Sequence, residues 1–174
     1  ENGKYYTEME HHWDEAYGYF TSSPNFPQEG ADRFWSKYSD RVDDALGTND
    51  KIMNAYLTGR AAISNGDMAT KNEMRDIIIA QLERVAAGKA VGYLNLAAAN
   101  FENDALRNHV LSEATGFIDG LRYNPHSTLS SLEINSMLNQ IGDNFYEVTL
   151  ADINAVKGQL ASAMGFTPEQ VLEL

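Results

Sequence analysis

Proline is missing from a long central part of this chain, and that gap constrains the fold more than any other feature. The four prolines are Pro24, Pro27, Pro125 and Pro168, so residues 28–124 contain none. Apolar residues in this stretch recur every three or four positions, which is the helical period. Alternation of β-branched and polar residues, which is typical of strands, never extends beyond a few positions. The chain is therefore predicted to be all-α.

Capping residues, glycines and prolines divide this pattern into about seven helices, four of them long. The predicted helices cover about residues 5–20, 31–46, 49–64, 67–100 and 104–122, followed by shorter ones that begin after Ser130 and Thr149 and by a last turn that begins after Thr167. Helices of these lengths joined by short turns are typical of a helical bundle. We expect a single α-helical domain over residues 1–174.

The predicted first helix carries an unusually wide apolar stripe. Its members fall within an arc of roughly 100° on the helical wheel: Tyr6, Met9, Trp13, Ala16, Tyr17 and Phe20. Because this segment starts close to residue 1, we expect the chain to be the C-terminal part of a longer protein whose N-terminal half is missing here. Four aromatic side chains would then be left exposed as an apolar patch through which two copies could form a homodimer: Tyr5, Tyr6, Phe26 and Trp35.

Charge and composition exclude several classes of function. The 13 basic residues against 25 acidic ones give a net charge of −12. A chain this acidic repels phosphate backbones, so we expect no nucleic-acid partner, whereas cationic ligands stay possible. The absence of cysteine excludes disulfides, thiol catalysis and cysteine-ligated metals. Glu83, Arg84 and Lys89 interrupt the most hydrophobic window, residues 77–99, which is therefore not a membrane span.

Histidines and carboxylates concentrate on one side of the predicted first helix. We call Glu8, His11, His12 and Glu15 the His/carboxylate flank; Tyr19 lies on the same side and is a candidate ligand-binding residue. His12 and Glu15 are three residues apart, so an imidazole nitrogen and a carboxylate can point at one ion, and imidazole favours Fe, Zn, Cu or Mn over Mg. One helix does not complete such a site, so another helix must add ligands. The alternative is a solvated helix face with paired side chains.

A second cluster lies on the predicted fifth helix. His109 and Glu113 are four residues apart and are the candidate ligands from a second helix, although they could equally form a plain surface pair. A buried Glu113 could instead anchor a polar network with Arg60 or Arg122. Arg60, near the end of the third helix, is interpreted first as a charge that interacts with the helix C-terminus. Arg60 and Asp14, on the other flank of the first helix, are further candidate ligand-binding residues.

Four segments follow one another in a distinctive order. They are residues 11–19 (HHWDEAYGY), 33–35 (RFW), 59–63 (GRAAI) and 111–118 (LSEATGFI). Together they resemble the C-terminal half of a family of uncharacterised bacterial envelope lipoproteins that is related to the imelysin-like proteins. The resemblance extends over essentially all 174 residues.

The resemblance implies an imelysin-like helical fold of two bundle-like halves, located in the periplasm or at the outer membrane or cell surface. Attachment would use a lipid anchor outside this chain. Relatives include proteins linked to iron uptake and a group once classed as metallopeptidases, whose shared mark is His-x-x-Glu on a helix. His12 and Glu15 match that mark, while the position two residues before the histidine, a glycine in that group, is Glu10 here.

Three functional hypotheses follow from the residues and the resemblance. The first is a non-catalytic envelope domain that binds a divalent or ferric metal ion, or a cation-bearing ligand, through the His12–Glu15 helix. The alternative is a scaffold or protein-interaction domain without a metal. A metal-dependent peptidase is the third, and the sequence offers no second set of zinc ligands for it.

Overall fold

A computed structural model describes residues 3–31 and 33–174 of the chain. This described part is α-helical and contains no strand, so the predicted all-α class is confirmed. The helices are α1 (Glu8–Phe20), α2 (Phe34–Leu46), α3 (Asn49–Ser64), α4 (Met68–Ala99), α5 (Asp104–Gly120), α6 (Ser131–Ile141), α7 (Leu150–Met164) and α8 (Pro168–Glu173). A short 3-10 turn, Leu121–Tyr123, follows α5. Within the described residues, no helix is both long and apolar enough to cross a membrane.

The chain divides into two compact units. The first comprises the residues up to Asp43 together with Gly47–Leu82, and the second comprises Asp44–Leu46 together with Glu83–Leu174. The first unit therefore contains α1, most of α2, α3 and the beginning of α4. The second contains the rest of α4 and all later helices.

Aromatic side chains form the core of the first unit, where α1 packs against α3. Phe20 meets Phe26 edge to face at 5.2 Å between ring centroids, and it stacks on Tyr56 at 5.8 Å. Phe26 is completely buried, so its predicted place in an exposed patch is wrong. Tyr5 and Trp35 are exposed as predicted, and homodimer formation through them stays a prediction.

The buried face of α1 differs from the predicted apolar stripe. Of the six stripe residues only Phe20 is fully buried, whereas Met9 and Ala16 are exposed. Glu10, a carboxylate, is buried instead. The face of α1 that contacts α3 therefore includes Glu10 and differs from the predicted apolar stripe. Glu10 can be buried there because Arg60 and Ser64 of α3 donate hydrogen bonds to its carboxylate.

The second unit has an aliphatic core to which every helix from α4 to α7 contributes, with α5 packed on α6 and α6 on α7. Its most deeply buried large side chains are Val85, Val91, Leu94, Leu111, Ile118, Ile134, Met137, Ile153 and Leu160. The loop before α6 is attached to α4 through the buried carboxylate of Glu83. That carboxylate accepts hydrogen bonds from Ser127 Oγ at 2.8 Å, from the backbone N–H of Thr128 at 2.7 Å and from Thr128 Oγ1 at 3.0 Å.

Candidate functional site

The N-terminus of α1 is closed by a capping box. Thr7 Oγ1 accepts a hydrogen bond from the backbone N–H of Glu10 at 3.2 Å, and Glu10 Oε2 accepts one from the backbone N–H of Thr7 at 2.7 Å. This arrangement satisfies two N–H groups that a helix start leaves without partners. Glu10 therefore has a definite structural task at the position that is glycine in the His-x-x-Glu group.

The same carboxylate links α1 to the last turn of α3. Glu10 Oε1 accepts hydrogen bonds from Arg60 Nη1 at 2.7 Å and from Ser64 Oγ at 2.6 Å. Arg60 Nε in turn donates to Asp14 Oδ1 at 2.9 Å. The Ser64 hydroxyl, followed by the Thr7 amide and the Arg60 guanidinium, lowers the pKa of Glu10 from 4.5 to about 2. Arg60 and Asp14, both candidate ligand-binding residues, are thus paired with each other across two helices.

Trp13 lies against α3 one turn further along α1. Its indole Nε1 donates to the backbone carbonyl of Tyr56 at 3.0 Å, and the two rings meet edge to face at 6.0 Å. Gly59 is buried directly beneath the indole. The Tyr56 hydroxyl donates to the carbonyl of Ala16 at 3.3 Å, and burial raises the pKa of Tyr56 to about 12. The contact between α1 and α3 is therefore structural, and it is made by Trp13 of α1 with Tyr56 and Gly59 of α3.

The His/carboxylate flank lies on the exposed side of α1, and its four members pair with one another. His12 Nδ1 is 2.9 Å from Glu15 Oε2, His11 Nε2 is 3.3 Å from Glu15 Oε1, and His12 Nε2 is 3.7 Å from Glu8 Oε1. The hydrogen bond to Glu15 raises the pKa of His12, and the same bond lowers the pKa of Glu15. The arrangement is an ion-pair network of i, i+3 and i, i+4 neighbours along one helix.

The remaining predicted site residues take no part in this ion-pair network. Tyr19 is 76% exposed at the end of α1. His109 is exposed and Glu113 half-buried on α5, which belongs to the second unit. Within residues 3–31 and 33–174, no group of three or more His, Asp or Glu side chains is arranged to hold a metal ion. Metal binding by His12 and Glu15 accordingly stays a prediction.

A groove opens in the first unit between α1, α3 and the beginning of α4. Its volume is about 420 Å³. The lining residues are Met9, His12, Trp13, Ala16, Tyr56, Lys71, Arg75, Ile78, Ile79 and Leu82. We call this cavity the α1/α4 groove. His12 is the one member of the predicted site set that lines it.

The groove has an apolar floor and a cationic end. Apolar side chains supply most of its surface, and its ionisable groups besides Tyr56 are His12, Lys71 and Arg75. Among the described residues no Asp or Glu lines it, although acidic residues outnumber basic ones almost two to one in the chain. A cavity of this kind suits an apolar ligand that carries an acceptor or a negative charge at one end.

Sequence reasoning missed the contribution of α4 to this groove. Lys71, Arg75, Ile78, Ile79 and Leu82 recur at the helical period and so share one face of α4. This period indicates that one face of α4 is covered, but it does not distinguish a face covered by the protein core from a face that lines a ligand site. The pattern was therefore visible in the sequence, yet it looked like the buried face of any core helix.

Comparison with known sequences identifies a family over nearly the whole chain. Residues 1–167 match the sequence profile of a family described as "Domain of unknown function (DUF4856)". The chain belongs to this family. Searches of curated proteins and of solved structures each found no significant match to this DUF4856 domain.

Proposed function

We propose that this DUF4856 domain is a non-catalytic binding domain and that the α1/α4 groove is its ligand site. The observation that carries the proposal is the groove itself, a concave and mostly apolar surface of about 420 Å³. Small-molecule sites in proteins are typically concave, mostly apolar and roughly 300–1,000 Å³ in volume. Its few polar side chains stand among apolar ones, which is the pattern that orients a ligand.

The composition of the groove supports binding over catalysis. Nucleophilic catalysis by a hydroxyl uses a serine or threonine beside the base that activates it. Among the described residues, the lining offers one imidazole, one phenol, one ammonium and one guanidinium, and no serine or threonine. His12 is held by Glu15 and Glu8 from the exposed side of α1. These groups are suited to orient a bound molecule.

The test of this proposal uses decanol as a neutral apolar probe, measured by isothermal titration calorimetry on the whole chain. Ala16 lies exposed in the groove, so Ala16→Phe fills part of the cavity without removing a buried contact. Ala61 is an exposed alanine of α3 outside the groove, so Ala61→Phe is the matched control. We expect saturable 1:1 binding that Ala16→Phe weakens at least tenfold and that Ala61→Phe leaves unchanged.

Two results would contradict the groove as a ligand site. One is the absence of saturable decanol binding to the unchanged chain. The other is binding that Ala16→Phe and Ala61→Phe weaken equally, because the probe would then occupy some other surface. In either case the scaffold alternative, a domain that acts through its surface contacts alone, becomes the favoured function.

Metal binding at the His/carboxylate flank is a second candidate function, supported by the 2.9 Å contact between His12 Nδ1 and Glu15 Oε2. One imidazole and one carboxylate at this spacing can share an iron, zinc or copper ion. Calorimetric titration with zinc, copper and ferric ions should then show binding that His12→Ala abolishes. Equal, weak binding by both proteins would leave the flank as a solvated helix face.

We also propose that the protein works in a bacterial envelope, attached to the outer membrane by a lipid anchor outside this chain. The support is the resemblance of residues 11–19, 33–35, 59–63 and 111–118 to envelope lipoproteins related to the imelysin-like proteins. Cell fractionation of the full-length protein, combined with labelling by a radioactive fatty acid, tests this location. Recovery in the cytoplasmic fraction without label would contradict it.

A further inference from the structure

We infer that the α1/α4 groove selects single-chain amphipaths with an anionic head group, of which a medium-chain fatty acid is the simplest example. This inference rests on the proposed function, because it names the ligand class of the same groove. It is carried by the order of charged and apolar side chains along α4, by the charge of the groove lining and by the size of the cavity.

Cationic and apolar positions are separated along the α4 side of the groove. Lys71 and Arg75 come first, and Ile78, Ile79 and Leu82 follow one to three turns later. Ile78 is buried, and Ile79 and Leu82 are half-buried, so these three form an apolar floor. A ligand whose head lies at Lys71 and Arg75 would therefore place its tail on that floor. This is the polarity of an amphipath with a negative head.

Lys71 is the cation at the head end that has no acidic partner among the described residues. The net charge of −12 would repel an anion at long range, but ionic strength screens charges beyond about 8 Å under physiological conditions. Within that distance Arg75 is paired with Asp76, and His12 is paired with Glu8 and Glu15. Lys71 donates to the neutral side chain of Asn72, so its charge is available to an anion. A carboxylate placed there would gain charge-assisted hydrogen bonds.

Neighbouring side chains hold the two cations without using all their donors. Lys71 Nζ donates to Asn72 Oδ1 at 2.6 Å, and Arg75 Nε and Nη2 donate to Asp76 Oδ1 at 2.9 and 2.7 Å. Arg75 Nη1 reaches Asn72 Oδ1 at 3.3 Å. An ammonium has three N–H donors and a guanidinium five. Both groups therefore keep N–H donors with which they can bind a head group.

The size of the cavity is that of a small-molecule site. The α4 face from Lys71 to Leu82 is about 16 Å long at 1.5 Å per residue. The groove volume of about 420 Å³ lies in the lower part of the roughly 300–1,000 Å³ that small-molecule sites occupy. A molecule with one alkyl chain, laid along this face, is a ligand of that size class.

The experiment compares three probes that share a ten-carbon chain: decanoate, decyltrimethylammonium and decanol, each kept below its micellar concentration. Binding to the whole chain is followed by the fluorescence of Trp13, which lines the groove, in a Trp35→Phe background, because the chain has 2 tryptophans. We expect decanoate to bind at least tenfold more tightly than decyltrimethylammonium. The double variant Lys71→Gln/Arg75→Gln should lose this preference.

Lys37→Gln/Arg41→Gln removes two exposed cations of α2 outside the groove and serves as the charge-matched control. Equal affinity for all three probes would overturn the anionic ligand class while leaving the groove as a binding site. Equal loss of decanoate binding in both double variants would also overturn it, because net charge alone would then explain the preference. If no probe binds, the groove proposal itself fails. Binding of an acidic amphipathic peptide in place of decanoate would replace the amphipath with a helical partner.

Discussion

Gly59 of α3 leaves a hollow that the indole of Trp13 on α1 fills. A Cβ atom at Gly59 would lie 2.1 Å from Cζ2 and 2.6 Å from Cη2 of Trp13, far inside van der Waals contact. Glycine in a helix interior costs about 1 kcal/mol relative to alanine. The packing of Trp13 and its hydrogen bond to the Tyr56 carbonyl offset that cost.

Gly59→Ala is therefore expected to destabilise the protein by about 1–3 kcal/mol, because overpacking forces the indole out of its place. Urea denaturation followed by tryptophan fluorescence measures the change. Gly18→Ala is the matched control in α1: no atom lies within 4 Å of the position of its Cβ, so it should stabilise the helix by about 0.5–1 kcal/mol. If Gly59→Ala leaves the free energy of unfolding unchanged, Trp13 is not confined by α3.

Glu10→Gln should reduce stability most at neutral pH and least in acid. The pKa of Glu10 is about 2 in the folded chain against an ordinary value of 4.5. Its contribution is therefore fully present above about pH 4.5 and is lost as the pH falls towards 2. The difference in urea midpoint between the unchanged chain and Glu10→Gln should shrink over that interval. Glu73→Gln, at an exposed position of α4, controls for removing one negative charge, and a difference that does not depend on pH would contradict the assignment.

Glu15→Gln should lower the pKa of His12. The carboxylate accepts a hydrogen bond from His12 and stabilises the protonated ring, and an uncharged amide removes most of that stabilisation. Titration of the histidine ring protons by NMR spectroscopy measures the change directly. His109, on α5, reports in the same spectra as the internal reference, because Glu15 is not among its hydrogen-bond or ion-pair partners. An unchanged His12 titration would show that the pair with Glu15 does not persist in solution.

Glu83→Ala should destabilise the second unit by about 1–3 kcal/mol, since it removes the acceptor of three hydrogen bonds from Ser127 and Thr128. Hydrogen exchange of the Thr128 amide should accelerate in this variant. Glu83→Gln keeps one oxygen acceptor and should cost less. If Glu83→Ala leaves both stability and exchange unchanged, the loop before α6 does not depend on this carboxylate.

The all-α class and most helix limits could be predicted from the sequence because they depend on local signals. Ser130 with Glu133 and Thr149 with Asp152 form the capping boxes that open α6 and α7. Gly165, in the left-handed conformation, ends α7. Such signals act within four residues of themselves and need no tertiary contact to be effective.

The buried face of α1 could not be predicted in the same way. Hydrophobicity places Met9 and Ala16 inside, yet both are exposed, while Glu10 is buried. A carboxylate becomes a core residue only where partners supply its charge and hydrogen bonds. Arg60 and Ser64 do so from about fifty residues further along the chain, so the pattern of α1 alone contains no trace of them.

The sequence alone determined that this chain forms helices, where most of them begin and end, and that histidines and carboxylates gather on one side of α1, because these properties follow from neighbours along the chain. Only the tertiary structure decided that Glu10 is buried and that His12 shares a groove with Lys71 and Arg75. The physical reason is that the lining of a cavity depends on how helices distant in sequence pack, and helical periodicity describes each helix by itself.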